Sequence, residues 1–286
     1  VGAVASGAVM RIARLIALND RAEGLMVIAD NIGNVDALST AAAQGQKPLY
    51  VVIDIEVGCG RTGAATPGAA VDLIDHVTAS PHLCFGGVQA YDGNVQAIAD
   101  FDERRAALSA DLEPLRKVMA EMQQRGTIIP LVSGGGTGTH DLDRIGGIFT
   151  EIQAGSYIVM DSIYNACDLH GEGATVFRTS LFVRATVIST AKQGFVTTDA
   201  GLKAFSVGSG DPVLATGAPQ GATYSFMGDE HGRITFAKEG HGMALGDQVE
   251  CIAPHCDPTI ALYDCHHVVR GDTLVDIWPI DARGHW

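Results

Sequence analysis

The chain has 286 residues, 47% of them hydrophobic and 18% charged, which is enough for one large α/β domain or two smaller ones, each with its own core. With no run of eighteen uncharged apolar residues, that balance argues against both intrinsic disorder and a membrane-spanning helix. A net charge of −14, from 19 Lys and Arg against 33 Asp and Glu, repels phosphate backbones and anionic lipid, so neither nucleic acid nor a membrane is an expected partner.

Hydrophobic periodicity predicts helix over 9–22, strand over 25–29, helix over 34–43, strand over 49–57, helix over 69–77 and strand over 85–91. A long helix over 98–124 and a strand over 128–132 follow. Alternating strands and helices point to a parallel α/β fold, with the chain opening on a helix. The strands run into GCGRTG (58–63), QAYDGN (89–94) and SGGGTGT (133–139). Ligand-friendly loops at strand C-termini favour a (β/α)8 barrel, with an open doubly wound sheet as the competitor.

After about Asp168 the pattern changes to β-branched segments at 175–190, 195–198, 232–236, 247–252 and 266–277, broken by Gly, Pro and Asp turns. Two domains are expected, a barrel over 1–172 and a mostly β domain over 173–286. Residues 1–172 fall short of the roughly 250 residues of a typical barrel, so the barrel is expected to lack its first strands. The six cysteines form no CxxC pair and follow no signal-peptide pattern, which predicts a reducing, cytoplasmic setting.

Several constellations carry possible chemistry. SGGGTGT offers backbone N–H groups and hydroxyls in a tight turn suited to a phosphate, and Gly155, Ser156 and Tyr157 are placed to complete such a cradle; a plain glycine turn accounts for the run equally well. Arg61, within GCGRTG, suits a carboxylate, phosphate or phenolate, or is a solvated loop arginine. Gln89 and Tyr91 share one face of a strand end, where Tyr91 also serves as core packing.

In PHCDPT (254–259), His255 and Asp257 stand two apart, which on extended backbone puts both side chains on one face and Cys256 on the other. Imidazole nitrogen plus carboxylate oxygen suits Mn²⁺, Mg²⁺ or Zn²⁺, although a hydrogen-bonded surface pair is the simpler account of two such residues. DEHG (229–232) reads as turn chemistry or a polar site, and Lys203 in DAGLK as a solvated lysine or a Schiff-base candidate.

Taken in order, GCGRTG, VQAYDG, SGGGTGT, EIQAGSYIVMD, TDAGLK, DEHG and HCDPT resemble the D-threonine aldolase family over about 9–286, most closely in the closing segment from HCDPTIALYD to IDARG. The resemblance implies an alanine-racemase-type barrel with a C-terminal β domain, and pyridoxal phosphate as cofactor. It implies that Gly135, Gly136, Thr137, Gly155, Ser156 and Tyr157 cradle the cofactor phosphate and that Arg61, Gln89 and Tyr91 flank its ring. His255 and Asp257 match divalent-metal ligands, and Asp229 an acidic residue of the substrate pocket. The related D-serine dehydratases carry cysteine at the position of Asp257, so aldol cleavage of a D-3-hydroxy amino acid to glycine and an aldehyde is favoured over dehydration.

The sequence departs from the family at three places. Its Schiff-base lysine, on the first barrel strand, matches none of Lys47, Lys117, Lys192, Lys203 and Lys238, so the chain is expected to be an N-terminally truncated form, inactive as it stands. Asp92 stands where relatives carry His or Gln, and Asp54 and Glu56 are exchanged relative to the usual Glu and Asp. The expectations are thus a D-threonine aldolase-type lyase, possible as a homodimer, with a dehydratase or a non-catalytic pyridoxal phosphate-binding protein as the alternatives.

Overall fold

The computed structural model describes residues 4–5, 9–173, 176–237 and 242–283. Two compact units interleave along the chain: Val1–Gly155 with Leu169–Ala174, and Ser156–Asp168 with Thr175–Trp286. Residues 156–168 therefore group with the β-rich unit, whereas the sequence suggests a single cut after 172.

The first unit runs β1 (Val4–Ala5), α1 (Val9–Arg21), β2 (Met26–Ala29), α2 (Ile32–Ala42), β3 (Leu49–Asp54), α3 (Pro67–Ala79), β4 (Leu83–Ala90), α4 (Phe101–Asp111), α5 (Glu113–Gln124), β5 (Val132–Gly134), α6 (His140–Gly146) and β6 (Glu151–Ile152). Its six strands lie side by side in chain order, all parallel. Central strands buried on both faces need nearly continuous apolar sequence: in β3 Leu49, Val51 and Ile53 on one face and Val52 on the other are buried, and Tyr50 at its start is exposed. Helix starts are fixed by side chains: Asn31, Thr66 and Asp100 each accept from a first-turn amide, and Pro67 opens α3 where its missing N–H has no partner to lose.

Three expectations are corrected in this unit. A short strand, β1, precedes the opening helix and pairs with Val27 and Ile28. The long helix over 98–124 is two helices that meet at Leu112, because Pro114 has no N–H and its ring crowds the preceding turn. The strand expected over 128–132 begins only at Val132; Ile128 is 83% exposed, and Pro130 cannot donate to a ladder.

The second unit runs α7 (Ser162–Asn165), β7 (Val183–Ser189), β8 (Phe195–Thr198), β9 (Val213–Thr216), β10 (Thr223–Phe226), β11 (Gly232–Thr235), β12 (Gln248–Ile252), α8 (Cys256–Ile260), β13 (Cys265–Arg270) and β14 (Thr273–Pro279). Strands β10-β11-β8-β7-β12-β9 form an antiparallel sheet. Alternate residues Val183, Ala185 and Val187 of β7 and Val249 and Cys251 of β12 are buried, the period-two pattern of a sheet covered on one face. The expected segment 175–190 contributes only Val183–Ser189, and the segment 266–277 is a hairpin, β13 and β14, turning at Gly271. The short helices α7 and α8 and the strands β9 and β10 have no counterpart in the sequence-based expectation.

Candidate active site

At the C-terminal ends of the parallel strands, one register level is polar. Asp54, Gln89, Ser133 and Glu151 are direct neighbours across β3, β4, β5 and β6. Their side chains link up: Thr62 Oγ1 donates to Asp54 Oδ2 at 2.7 Å, Gln89 Nε2 to Asp54 Oδ1 at 3.2 Å, and Ser133 Oγ to Glu151 Oε1 at 2.7 Å. Gln153 Nε2 joins the two halves by donating to Gln89 Oε1 at 3.1 Å and to Ser133 Oγ at 2.9 Å. Burial pushes the Asp54 carboxyl up, against the lowering influence of the Thr62 and Gln89 hydrogen bonds. In the loop after β3 the Arg61 guanidinium lies 5.4 Å from the centre of the Tyr91 ring, a cation–π pair. The structure thus joins Arg61 to Tyr91 and Gln89 to Asp54.

The glycine-rich loop after β5 is packed from beneath. Gln96 Nε2 donates to Thr139 Oγ1 at 3.0 Å, Gln96 Oε1 accepts from Gly138 N at 3.0 Å, and Thr139 Oγ1 donates to Asp143 Oδ2 at 2.6 Å. A Cβ at Gly138 would lie 2.0 Å from the Gln96 carbonyl oxygen, and one at Gly135 2.1 Å from Asp143 Oδ2. Close packing is therefore one reason for the glycines, and the Gly136 amide is taken up by Thr139 Oγ1 at 3.1 Å. Gly135 has φ +62°, and Thr137 is buried. Burial pushes Asp143 up to about 6, with the Thr139 hydroxyl and the Gly136 amide opposing. Gly155 of this unit has open space where a Cβ would stand.

In the second unit Ser156 and Tyr157 lie in a single 3-10 turn, and the Tyr157 ring packs at 5.4 Å on Phe177. His255 is the last extended residue before α8, with φ −137° and ψ 127°. Asp257 falls in the first turn of that helix, which corrects the expected run of extended backbone, and it is exposed while Cys256 is buried. Asp161, the N-cap of α7, accepts on Oδ2 from His255 Nδ1 at 2.8 Å and from Cys256 N at 2.9 Å, and on Oδ1 from Tyr164 N at 3.0 Å. Burial alone would push Asp161 up, but these hydrogen bonds outweigh it and hold the carboxyl below the ordinary range. The same bond raises the His255 imidazole to about 10. The His255 carbonyl is held as well, accepting from Thr259 Oγ1 at 2.7 Å and Ser206 Oγ at 3.1 Å.

The TDAGLK and DEHG segments form one junction of this unit. Leu202 N and Lys203 N donate to the carbonyls of Gly228 and Asp229 at 3.0 and 2.9 Å, and Lys203 pairs with Glu230. Asp229 is exposed in this turn.

These residues suit the two groups that the motifs imply. For pyridoxal phosphate, the first unit offers a glycine loop, a guanidinium and a polar row at the strand ends. For a divalent cation, the donor set is an imidazole whose Nδ1 is occupied, leaving Nε2, together with an exposed carboxylate two residues on. Among the described residues, no lysine stands at the C-terminal end of a parallel strand: Lys47 precedes β3 and bonds the Ala22 carbonyl, Lys117 lies near Glu113, and Lys192 and Lys203 are on the second unit. Lys238 lies outside the described residues. The sequence reading missed Asp161, Gln96 and Asp143, and noted Asp54 only as exchanged with Glu56; the N-cap position of Asp161 before SIYN was one local signal available.

The family model for the alanine racemase N-terminal domain matches residues 8–163, and the one described as "Putative serine dehydratase domain" matches residues 180–269. Together with six parallel strands in chain order followed by an antiparallel β unit, this defines an enzyme of the alanine-racemase-like fold. Within that class, the chain is 34% identical over 279 residues to 3-hydroxy-D-aspartate aldolase of Paracoccus denitrificans (strain Pd 1222), covering 96% of this chain and 70% of that protein. It is 34% identical over 264 residues to D-threonine aldolase of an Arthrobacter species, covering 92% of this chain and 69% of that one. The crystal structure of D-threonine aldolase from Filomicrobium marinum superposes with a TM-score of 0.91 at 31% identity, over 98% of this chain and 75% of that one. The chain belongs to the D-threonine aldolase family of carbon–carbon lyases.

Proposed function

We propose that the protein uses pyridoxal phosphate and a divalent cation to cleave D-threonine or 3-hydroxy-D-aspartate between Cα and Cβ, giving glycine and an aldehyde. The observation that carries the reading is the His255 arrangement: Nδ1 fixed by buried Asp161, the side chain as a whole part-exposed, and an exposed carboxylate at Asp257. When bound, pyridoxal phosphate supplies an electron sink for the pair left on Cα, and the cation supplies Lewis acidity toward the β-hydroxyl.

In this reading Gly135, Gly136, Thr137, Gly155, Ser156 and Tyr157 bind the phosphate, and Arg61, Gln89 and Tyr91 orient the ring. His255 and Asp257 hold Mn²⁺, Mg²⁺ or Zn²⁺, and Asp229 addresses the substrate. An imidazole and a carboxylate form a harder donor pair than an imidazole and a thiolate, which favours cleavage over the dehydration suggested by the family model for the second unit. A second reading, a non-catalytic pyridoxal phosphate-binding protein, would bind the vitamer without forming a borohydride-reducible adduct. Six free cysteines accord with a cytoplasmic setting, and a homodimer belongs to the same reading.

Incubating the protein, expressed from its full gene, with the D and L forms of threonine and 3-hydroxyaspartate tests this. Glycine is expected from the D forms only; turnover of the L forms at an equal rate would overturn the assignment.

A further inference from the structure

Asp161 is tied to three donors from two distant stretches of chain. Its Oδ1 caps α7 through Tyr164 N, while its Oδ2 takes the imidazole N–H of His255 and the amide of Cys256, 94 and 95 residues further on. Its side chain is 0% exposed against 31% for His255, and it meets the ring at Nδ1. Ser162 reinforces the same junction, with its amide donating to the Ala253 carbonyl at 3.1 Å and its hydroxyl to the Pro254 carbonyl at 3.4 Å. The backbone carrying His255 and Asp257 is thus held by α7 from one side and by Ser206 and Thr259 from the other.

The ligand-type atoms of Asp161, His255 and Cys256 lie within 4.8 Å of one another, so Asp161 has two possible roles, direct ligand or orienting partner. Its two oxygens already accept three N–H bonds, and its side chain is 0% exposed, whereas a catalytic cation must also reach substrate or water, which favours the orienting role. Imidazole ligands hold their orientation and tautomer through a hydrogen bond from the nitrogen opposite the metal, and a carboxylate is a common acceptor for it.

We propose that Asp161 is a positioning residue: it keeps the proton on His255 Nδ1, so that Nε2 is the nitrogen offered to the cation, and it fixes the strand-to-helix junction that carries Asp257. The proposal rests on the assignment of His255 as a metal ligand. Its distinctive consequence is that the ring is fixed before any cation arrives and coordinates through Nε2 alone.

The test is a titration of purified wild type, Asp161→Asn and His255→Ala with Mn²⁺ and Zn²⁺ against a fluorescent chelator, with thermal unfolding measured alongside. Asparagine keeps the helix cap and one acceptor, so Asp161→Asn is expected to fold. Its cation affinity should fall about ten- to a hundredfold at unchanged stoichiometry, whereas His255→Ala should lose the site. Affinity lost in His255→Ala but unchanged in Asp161→Asn overturns the proposal alone. Affinity unchanged in His255→Ala overturns the metal reading beneath it, and abolition in Asp161→Asn as complete as in His255→Ala makes Asp161 a ligand instead.

Long-range ¹H–¹⁵N histidine spectra of wild type, with the signal assigned by its loss in His255→Ala, provide a readout that does not depend on the folding of Asp161→Asn. On adding Zn²⁺, the Nε2 resonance should shift while Nδ1 keeps its proton. Coordination through Nδ1 would contradict the proposal.

Discussion

Gln89 stands directly opposite Asp54 in the β3–β4 pair and donates its side-chain amide to Asp54 Oδ1 at 3.2 Å. Both are buried, so Gln89→Leu strips an acceptor of its donor without returning it to water. The variant should lose about 1–3 kcal/mol in urea unfolding. The double variant Gln89→Leu with Asp54→Leu should lose less than the sum of the two single losses, and strict additivity would mean that the pair does not interact.

Stability should depend on pH through Asp143. Burial raises its folded pKa from 3.8 to about 6, so between those values the folded chain holds a proton that the unfolded chain releases. This contribution is fully present below about pH 4 and declines as pH rises through about 6, by about 3 kcal/mol in all. Asp143→Asn keeps an acceptor for the Thr139 hydroxyl and removes the ionisation. Urea midpoints at pH 4.5 and pH 7 should therefore differ less in the variant than in the wild type, and parallel curves would refute the assignment.

Gly201 packs directly on the DEHG turn: a Cβ there would stand 2.4 Å from the Gly228 carbonyl oxygen and 2.5 Å from both the Asp229 carbonyl oxygen and the His231 nitrogen. These are backbone atoms with nowhere to rotate. Gly201→Ala should cost about 1–3 kcal/mol, read as a lowered Tm.

Much of the first unit is legible in the sequence because its buried strands are apolar runs and its helices are periodic. The break between α4 and α5 was legible too, in Pro114, but the apolar period carried across it. In the second unit, β9 is four residues long and mostly exposed, so it leaves no burial pattern to read. The HCDPT pair is visible as two residues two apart. What orients it is not visible, because Asp161 reaches His255 across 94 residues and only the folded chain brings them together. The SGGGTGT run is a case of shared cause: its glycines make room for Gln96 and Asp143, so glycine content alone does not separate packing from phosphate binding.

In the proposed reading the metal and cofactor roles fall on different residues, so they should separate by mutation. His255→Ala or Asp257→Ala should weaken cation binding and cut turnover, and leave the pyridoxal phosphate absorbance nearly unchanged. Loss of the cofactor spectrum in either variant would count against the division.

The most direct test is product analysis. Protein expressed from its full gene is incubated with pyridoxal phosphate, Mn²⁺ and D-threonine, and the products are quantified with and without EDTA. Glycine and acetaldehyde in equal amounts, abolished by EDTA and restored by excess Mn²⁺, is the predicted result. Formation of 2-oxobutanoate and ammonia instead, or cleavage indifferent to EDTA, would contradict it.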